Sequence, residues 1–354
     1  MKDIDQPIPH SRPLLGREEA AAAAAVVASG RLAQGEQVRR FEQAVAAMHG
    51  ASGAVAVSSG TAALHLTLLA LGIGAGDEVI LPAYTCSAIS NAVRYTGATP
   101  VTADVDPGSA NLTAGEVKKN LSARSRAIII PHMFGLPAAM ESLAGLGVPI
   151  IEDCAQALGA VRRGQRVGGF GTAAVFSFYA TKMIATGEGG MVISSSDGLL
   201  ERIRELRQYD NRDDHRLRYN YKMTDLQAAV GRVQLKRLDH FVKRRRWIAD
   251  RYFREFEKLE VGLPPRNDGR VYYRFVIDGG NDAERFIQAL RQHRILAARP
   301  VYRVSNPDVC VDTHPVSFRL WQRNLSIPLY PALSDEQVQH IVSAAGNCFP
   351  GKSH

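Results

Sequence analysis

Short apolar runs alternate with longer amphipathic stretches along the chain up to about residue 195. The short runs are typical of buried strands, and the longer stretches have helical spacing. Predicted strands cover residues 54–57, 78–81, 100–103, 126–130, 148–151, 174–178 and 191–194, and predicted helices cover residues 18–29, 36–48, 60–71 and 87–95. This alternation predicts an α/β fold, with a mostly parallel sheet covered by helices on both faces.

A long helix is predicted to follow. Thr224 begins it, because Thr224 and Gln227 have the spacing of a capping box. Its basic run at residues 243–246 is expected to form a solvated face.

The character of the chain changes again near residue 265, after a proline pair. A strand at 272–277 and helices at 282–293 and 335–345 predict a smaller α+β region. We therefore predict a large domain at residues 1–245, including the N-terminal helical segment, and a small C-terminal domain at residues 246–354.

Composition narrows the class of protein. Apolar residues make up 45% of the chain and charged residues 22%, which is typical of a folded core. The formal charge of +8 suits a phosphate-bearing substrate, and no basic strip with interleaved aromatics predicts nucleic-acid binding. The sequence has no long apolar stretch and no signal-peptide pattern, which predicts a cytoplasmic protein without membrane contact. The four cysteines lack metal-type spacing, so we expect neither a metal nor a disulfide framework.

Two strand ends carry candidate ligand groups. Residues 58–61 (Ser-Ser-Gly-Thr) lie where a strand ends and a helix begins, and free backbone amides at a helix start bind phosphate. Residues 150–153 run from an apolar strand into Glu152 and Asp153. Carboxyl ends of strands are the edge at which α/β folds place their ligands.

A lysine supplies the third element. Lys182 follows the strand at 174–178 and precedes a glycine-rich turn at 186–190. A lysine that is desolvated there becomes a usable nucleophile. A phosphate cradle, a carboxylate and such a lysine are the three fixed points that pyridoxal phosphate (PLP) requires, so we expect this cofactor.

The chain resembles the DegT/DnrJ/EryC1/StrS family of PLP-dependent sugar aminotransferases over nearly its whole length. The resemblance implies fold type I, with a large sheet domain and a smaller C-terminal domain. The motifs that carry it are residues 8–13 (IPHSRP), 29–35 (SGRLAQG), 59–64 (SGTAAL), 104–106 (DVD), 132–135 (HMFG), 152–156 (EDCAQ), 176–182 (FSFYATK), 187–190 (GEGG) and 219–227 (YNYKMTDLQ).

The resemblance implies roles for three residues around the cofactor ring. Lys182 forms a Schiff base with PLP and moves the proton between substrate carbon and cofactor. Asp153 pairs with the pyridine nitrogen and keeps it protonated. Gln156 lies near the phenolic oxygen or the ring.

Four further residues are implied to hold phosphate. Gly60, Thr61 and Ser177 would bind the phosphate of the cofactor in the same subunit. Asn220 would reach the phosphate in the neighbouring subunit, so we expect a homodimer with shared active sites.

The sequence departs from the family pattern at two places. Where the family usually has an aromatic residue stacked on the cofactor, this chain has Cys86, so either Cys86 or Tyr84 is expected to contact the ring. Where the family often has a histidine, Arg303 follows Tyr302, and arginines suit a diphosphate. We therefore expect the substrate near Tyr84, Gln34, Tyr302 and Arg303, with Arg299 and Arg319 as further candidates.

The predicted reaction moves an amino group from L-glutamate or L-glutamine to a nucleotide-linked keto-sugar in two half-reactions. A keto-cyclitol is an alternative acceptor. Sugar dehydratases of the same family resemble this chain but have histidine at the position of Lys182. A regulatory protein without activity is a third possibility, against which the retention of both Asp153 and Lys182 weighs.

Overall fold

A seven-stranded sheet forms the centre of the computed structural model, which describes residues 6–302 and 309–351. β9 is antiparallel to both of its neighbours, and the other adjacent strands are parallel. The spatial order is β1 (Gly53–Val57), β9 (Gly190–Ser194), β8 (Ala173–Ser177), β5 (Ile150–Asp153), β4 (Ser125–Pro131), β2 (Glu78–Pro82) and β3 (Thr99–Ala103). These are the strands that the apolar runs predicted, and the mostly parallel sheet is confirmed.

Helices pack on both faces of this sheet. One face buries Phe41, Phe176 and Phe178, and the other buries Leu66 and Val192. A short hairpin, β6 (Val161–Arg162) and β7 (Gln165–Arg166), lies outside the sheet. The helices of this part are α1 (Arg17–Ser29), α2 (Glu36–His49), α3 (Gly60–Ala70), α4 (Ser87–Tyr95), α5 (Ala114–Asn120), α6 (Met140–Leu143), α7 (Asp197–Arg207) and α8 (Asp225–Lys236).

A second hydrophobic core occupies the C-terminal region and also takes in Ile8 from the N-terminal segment. Its aromatic centre includes Phe253 and Phe275, with ring centroids 5.0 Å apart. The elements here are α9 (Leu238–Phe256), β10 (Phe275–Asp278), α10 (Ala283–Gln292), α11 (Pro315–Arg323), β11 (Asn324–Ile327) and α12 (Asp335–Cys348). α9 runs unbroken through residues 245 and 246, where the sequence predicted the boundary between the large and the small domain. That boundary stays a prediction.

Two predicted elements differ in extent. The capping box of Thr224 and Gln227 is present, but the helix it begins ends at Lys236, and α9 starts separately at Leu238. The strand predicted from residue 272 begins only at Phe275, because Tyr272 has a φ of 49°, outside the extended region. Among the described residues, none of the helices has both the length and the apolar character that a membrane span requires.

The basic run on α9 is not a solvated face, and the prediction was wrong at Arg245. This side chain is only 2% exposed. Its guanidinium donates to the carbonyl oxygens of Tyr272 and Tyr273, both at 3.2 Å, and of Leu329 at 2.9 Å. Burial lowers the pKa of Arg245 to about 10. The buried cation is retained because it satisfies carbonyls that strand and helix ladders leave unpaired.

Replacing Arg245 with alanine should therefore lower the free energy of unfolding by about 2–4 kcal/mol, because three buried carbonyls lose their donor. Denaturant unfolding would measure the loss. Lys243→Ala is the matched control: this lysine is exposed on the same helix, and its removal should change stability by less than about 0.5 kcal/mol. Equal effects of the two substitutions would contradict the structural role of Arg245.

Candidate active site

Four strand ends and one strand start meet at a single edge of the sheet. Val57, the last residue of β1, pairs with Gly190 at the start of β9, and Gly190 also pairs with Ser177 at the end of β8. Asp153 at the end of β5 pairs with Pro131 of β4 and continues the same edge. The side chains that the sequence marked separately are therefore neighbours.

The start of α3 supplies an anion cradle at this edge. Ser59 is the N-cap: its hydroxyl accepts from the amide of Ala62 at 3.1 Å, and its carbonyl accepts from the amide of Ala63 at 3.0 Å. The first amides of an α-helix have no partner inside the helix. Gly60 and Thr61 therefore present the amides of this first turn to a ligand, as predicted for phosphate.

Close backbone contacts bring the cradle against the neighbouring strands. A Cβ placed on Gly60 would lie 2.9 Å from the Cβ of Ser177 and 3.4 Å from its hydroxyl. A Cβ on Gly190 would lie 2.2 Å from the carbonyl oxygen of Ser59. Only glycine fits at these two positions, and the result is that the Ser177 hydroxyl faces the amides of α3.

Asp153 is a nearly buried carboxylate, 9% exposed, at the end of β5. Its Oδ1 accepts from the amide of Ala155 at 2.9 Å. Burial raises the pKa of Asp153, and the Ala155 amide together with the positive charge of Lys182 offsets only part of that rise. A carboxylate in this setting gains from any cation that reaches it, such as a protonated pyridine nitrogen.

Lys182 lies in the turn that follows β8. Its amide donates to the carbonyl of Tyr179 at 2.8 Å, and the amide of Thr186 returns to the carbonyl of Phe178 at 2.8 Å. The turn closes through Gly187, at a φ of 84°, so the chain can double back into β9. The side chain of Lys182 is half-buried, and its charge interacts with Asp153, so the two predicted catalytic residues share one site.

An unpredicted tyrosine lies beside Lys182. The Nζ atom of Lys182 is 5.1 Å from the ring centroid of Tyr273, within the range of a cation–π contact. The Tyr273 and Thr181 hydroxyls are 3.3 Å apart. The sequence placed residue 273 inside a C-terminal strand, and no motif signals that Tyr273 packs in the same core as Phe176 and Phe178 of the large sheet.

A second buried network lies directly behind Asp153. His132 Nδ1 accepts from the amide of Ala138 at 3.0 Å, which leaves Nε2 to donate to Glu152 Oε2 at 3.1 Å. Glu152 also accepts backbone amides, including that of Gly168 at 2.8 Å. Burial would raise the pKa of Glu152, but the hydrogen bond from His132 and the backbone amides hold it below its ordinary value.

The same cluster has the residue types of a metal site. Ligand atoms of His132, Glu152 and Cys154 lie within 4.8 Å of one another. We interpret it as structural, because both histidine nitrogens and both carboxylate oxygens are already hydrogen-bonded. Burial also raises the pKa of Cys154 well above its ordinary value, which disfavours the thiolate that binds metal.

Gln156 and the two alternatives for the ring contact take different positions. Gln156 Oε1 accepts from the amide of Phe134 at 2.9 Å, which orients its side chain near Asp153. Tyr84 is 2% exposed, packs edge-on against Phe134, and accepts a hydrogen bond from Asn324 at 3.2 Å. Cys86 is the exposed N-cap of α4. The contact of either residue with a cofactor ring stays a prediction.

Two of the arginine candidates for diphosphate binding are described, and one of them is engaged elsewhere. The Arg299 guanidinium donates to the carbonyls of Gln322 at 2.6 Å and Asn324 at 3.2 Å, so it closes the end of α11. Arg319 is exposed on α11. Arg303 lies outside the described residues.

Gln34 and Tyr302 are the remaining substrate candidates. Gln34 donates to Gln208 at 3.3 Å, and its buried Oε1 has no hydrogen-bond partner among the described residues. Tyr302 is 76% exposed. Their contact with substrate stays a prediction.

Comparison with known proteins adds the family. The sequence model of the DegT/DnrJ/EryC1/StrS aminotransferase family matches residues 13–345. Spore coat polysaccharide biosynthesis protein SpsC of Bacillus subtilis (strain 168) is 34% identical, with 97% of each chain covered. GDP-perosamine synthase of Escherichia coli O157:H7 is 35% identical, with 90% of this chain and 92% of that protein covered.

Solved structures agree with the sheet topology. The aminotransferase TlmJ from Streptoalloteichus hindustanus superposes with a TM-score of 0.90 at 31% identity, covering 96% of this chain and 97% of that chain. DesV of S. venezuelae, solved in complex with a ketimine intermediate, gives a TM-score of 0.89 at 33% identity, covering 96% and 98%. The fold is fold type I of the PLP-dependent transferases, as the sequence resemblance implied.

The raised pKa of Asp153 has a consequence for the stability of the coenzyme-free protein. A carboxyl whose pKa is raised on folding stabilises the protein most below its ordinary pKa, and this contribution is lost as the pH rises through the raised value. Asp153→Asn should therefore be more stable than the parent at neutral pH, by on the order of 1 kcal/mol, and lose this advantage in acid.

Thermal unfolding of the two coenzyme-free proteins across that pH range tests the prediction. Asp239→Asn, on an exposed carboxylate, is the control and should show no such crossover. The same Asp153→Asn protein should bind PLP more weakly, because the pyridine nitrogen loses its anionic partner. A variant less stable than the parent at every pH would show that Asp153 is not a strained buried charge.

Proposed function

This chain belongs to the DegT/DnrJ/EryC1/StrS aminotransferase family and is a PLP-dependent sugar aminotransferase, and we propose that it aminates a nucleotide-linked keto-sugar with L-glutamate or L-glutamine as donor. The observation that carries the proposal is the meeting of three groups at one sheet edge. These are the anion cradle at Gly60, the buried Asp153 and the neighbouring Lys182.

The residues at the edge fit the coenzyme. The Gly60 and Thr61 amides and the Ser177 hydroxyl would bind the phosphate, and a Cβ at Gly60 would lie 2.9 Å from the Cβ of Ser177, so a larger residue would separate these groups. Asp153 would hold the pyridine nitrogen through its carboxylate, and Lys182 would hold the coenzyme covalently through its amine. When bound, PLP supplies an electron-accepting ring and a carbon that carries the amino group.

The chain's own groups then divide the work. Asp153 keeps a proton on the ring nitrogen, since its buried charge has few other ways to be neutralised. Lys182 would move the proton at the reacting carbon as a general base and acid. Gln156 is anchored by the amide of Phe134 and would lie near the coenzyme.

The nucleotide-linked acceptor and the amino donor are supported by likeness and by charge. GDP-perosamine synthase of E. coli O157:H7 is named for a nucleotide-linked sugar, and this chain is 35% identical to it. The excess of basic residues, +8 in formal charge, favours a diphosphate over a neutral acceptor such as a keto-cyclitol. L-Glutamate or L-glutamine as donor is proposed from the resemblance alone.

The assignment of Lys182 is tested by covalent trapping. Borohydride should fix PLP to the parent chain at Lys182, whereas Lys182→Ala should bind PLP without covalent attachment and lose turnover by at least about a thousandfold. Lys182→Arg, which keeps the charge but offers no usable amine, is the matched control and should behave as Lys182→Ala. Fixation of PLP at another residue would overturn the proposal.

The acceptor is tested on the amine-loaded enzyme. The pyridoxamine form would be mixed with a panel of keto-sugars bearing different nucleotides, and with a keto-cyclitol, while return of the absorbance of the PLP form is followed. Return only with nucleotide-linked sugars supports the proposal. Return only with the cyclitol would move the protein to the alternative acceptor.

We also propose that Asn220 completes the site of a second subunit. The segment around it is held by backbone bonds, with the amide of Ser58 donating to the carbonyl of Tyr221 at 2.8 Å. Tyr219 and Tyr221 stack at 5.1 Å between ring centroids. Asn220 itself is exposed, so its amide is presented outward from a fixed backbone.

Mixed dimers distinguish a shared site from a self-contained one. Lys182→Ala and Asn220→Ala subunits, each inactive or impaired alone, would be coexpressed and purified by two tags. If Asn220 acts in the partner's site, each mixed dimer contains one site with both changes and one intact site, so roughly half of the parental activity returns. If Asn220 serves its own chain, the one site that keeps Lys182 lacks Asn220, and activity of about half that of the Asn220→Ala dimer would overturn the proposal.

A further inference from the structure

Tyr273 is a buried phenol with no part in the mechanism described so far. It is 6% exposed and lies just before β10. In the same segment, the amide of Val271 donates to the carbonyl of Gly135 at 3.1 Å. Its ring centroid is 5.1 Å from Lys182 Nζ, and its hydroxyl is 3.3 Å from the Thr181 hydroxyl. Ring and hydroxyl thus contact two consecutive residues of the β8 turn.

Positive charges surround this phenol. Lys182 faces the ring, Arg274 lies with its guanidinium carbon 5.2 Å from the ring centroid, and Arg245 donates to the Tyr273 carbonyl. His10, which contacts Arg274 at 2.8 Å, is neutral, because burial and then the charge of Arg274 lower its pKa to about 3.

The carboxylate of Asp153 interacts with the charge of Lys182. Burial would raise the pKa of Tyr273, but the charges of Lys182 and Arg274 and the contact with Thr181 outweigh it and bring that pKa to about 8.

We propose that Tyr273 is a positioning residue for Lys182. The tyrosine ring holds the lysine amine beside the coenzyme site whenever that amine carries no covalent bond, and the ionisation of the phenol is coupled to the charge of the amine. The inference rests on the proposed function only in its identification of Lys182 as the coenzyme lysine. An unbonded lysine on a flexible stem would otherwise sample many rotamers and would have to be reordered before it reacts. The ring removes much of that freedom.

Coupling between two charges is reciprocal. If the ammonium of Lys182 favours the phenolate of Tyr273, the phenolate favours the ammonium by the same free energy. While Lys182 is an ammonium it cannot take the phenol proton, so that proton leaves to solvent and the charged pair of phenolate and ammonium remains. The hydroxyl of Thr181 contacts the hydroxyl of Tyr273 and so fixes the position of the phenolate charge relative to Lys182.

Ultraviolet titration of phenolate in the coenzyme-free protein tests the coupling directly. The parent should show one tyrosine that ionises near pH 8, and this signal should be absent in Tyr273→Phe. In Lys182→Ala the signal should move to higher pH, because the largest favourable charge is gone. Thr181→Val should move it in the same direction by a smaller amount.

The matched control is Tyr252→Phe. Tyr252 is also fully buried, and its hydroxyl donates to the carbonyl of Pro328 at 2.7 Å, but burial raises its pKa well above the ordinary value. This variant should keep the signal near pH 8. A signal that survives in Tyr273→Phe, or one that does not respond to Lys182→Ala, would overturn the inference; if Tyr273→Phe fails to fold, the Lys182→Ala and Thr181→Val titrations still decide it.

A second readout follows the lysine. Acetylation of the Lys182 amine by acetic anhydride near pH 8, measured by mass spectrometry on coenzyme-free protein, should be about 3–10-fold faster in Tyr273→Phe, since one stabilising charge is lost. Tyr273→Leu, which also removes the ring, should be faster still. Unchanged rates in both variants would refute the positioning role.

These outcomes are independent of PLP binding. Failure of borohydride trapping at Lys182 would remove the proposed function and leave the tyrosine titration intact. Normal trapping with an unresponsive titration would remove only the role of Tyr273.

Discussion

One negative charge, the carboxylate of Asp153, is held out of water at the end of β5, and the architecture of the sheet edge is arranged around it. Burial raises its pKa, and the Ala155 amide and the charge of Lys182 compensate only in part. A charge left under-compensated in this way is a binding site for a cation of the right shape. Binding of a protonated pyridine ring would therefore relieve the free-energy cost of the buried carboxylate, and this relief would contribute to the affinity.

Glu152, directly before Asp153 in the chain, differs from it in hydrogen bonding and in the direction of its pKa shift. Glu152 points into the core, where His132 and several backbone amides fully satisfy it, and its pKa is held down. Asp153 points to the edge and accepts from the amide of Ala155. Alternation along a strand separates the two roles: one carboxylate fixes the loops behind the site, and the other is left for a ligand.

The two cores meet at the lysine. Arg245 on α9 holds the carbonyls of Tyr272 and Tyr273, and Tyr273 in turn lies over Lys182 of the β8 turn. A buried cation in the second core thereby sets the position of an aromatic ring in the active site. The basic run on α9, which by sequence is an ordinary solvated face, is thus part of the support of the site.

The sequence by itself determined the strands, the mostly parallel sheet, the cradle at Gly60, and the pair Asp153 and Lys182, because each depends on local periodicity or on a residue adjacent to a strand end. Family motifs added the cofactor. Tertiary structure alone decided that Arg245 is buried, that the helix after Thr224 is two helices, and that Tyr273 lies on Lys182. The contacts of Tyr273 with Thr181 and Lys182 join residues about ninety positions apart, and such contacts leave no pattern in either local stretch of chain.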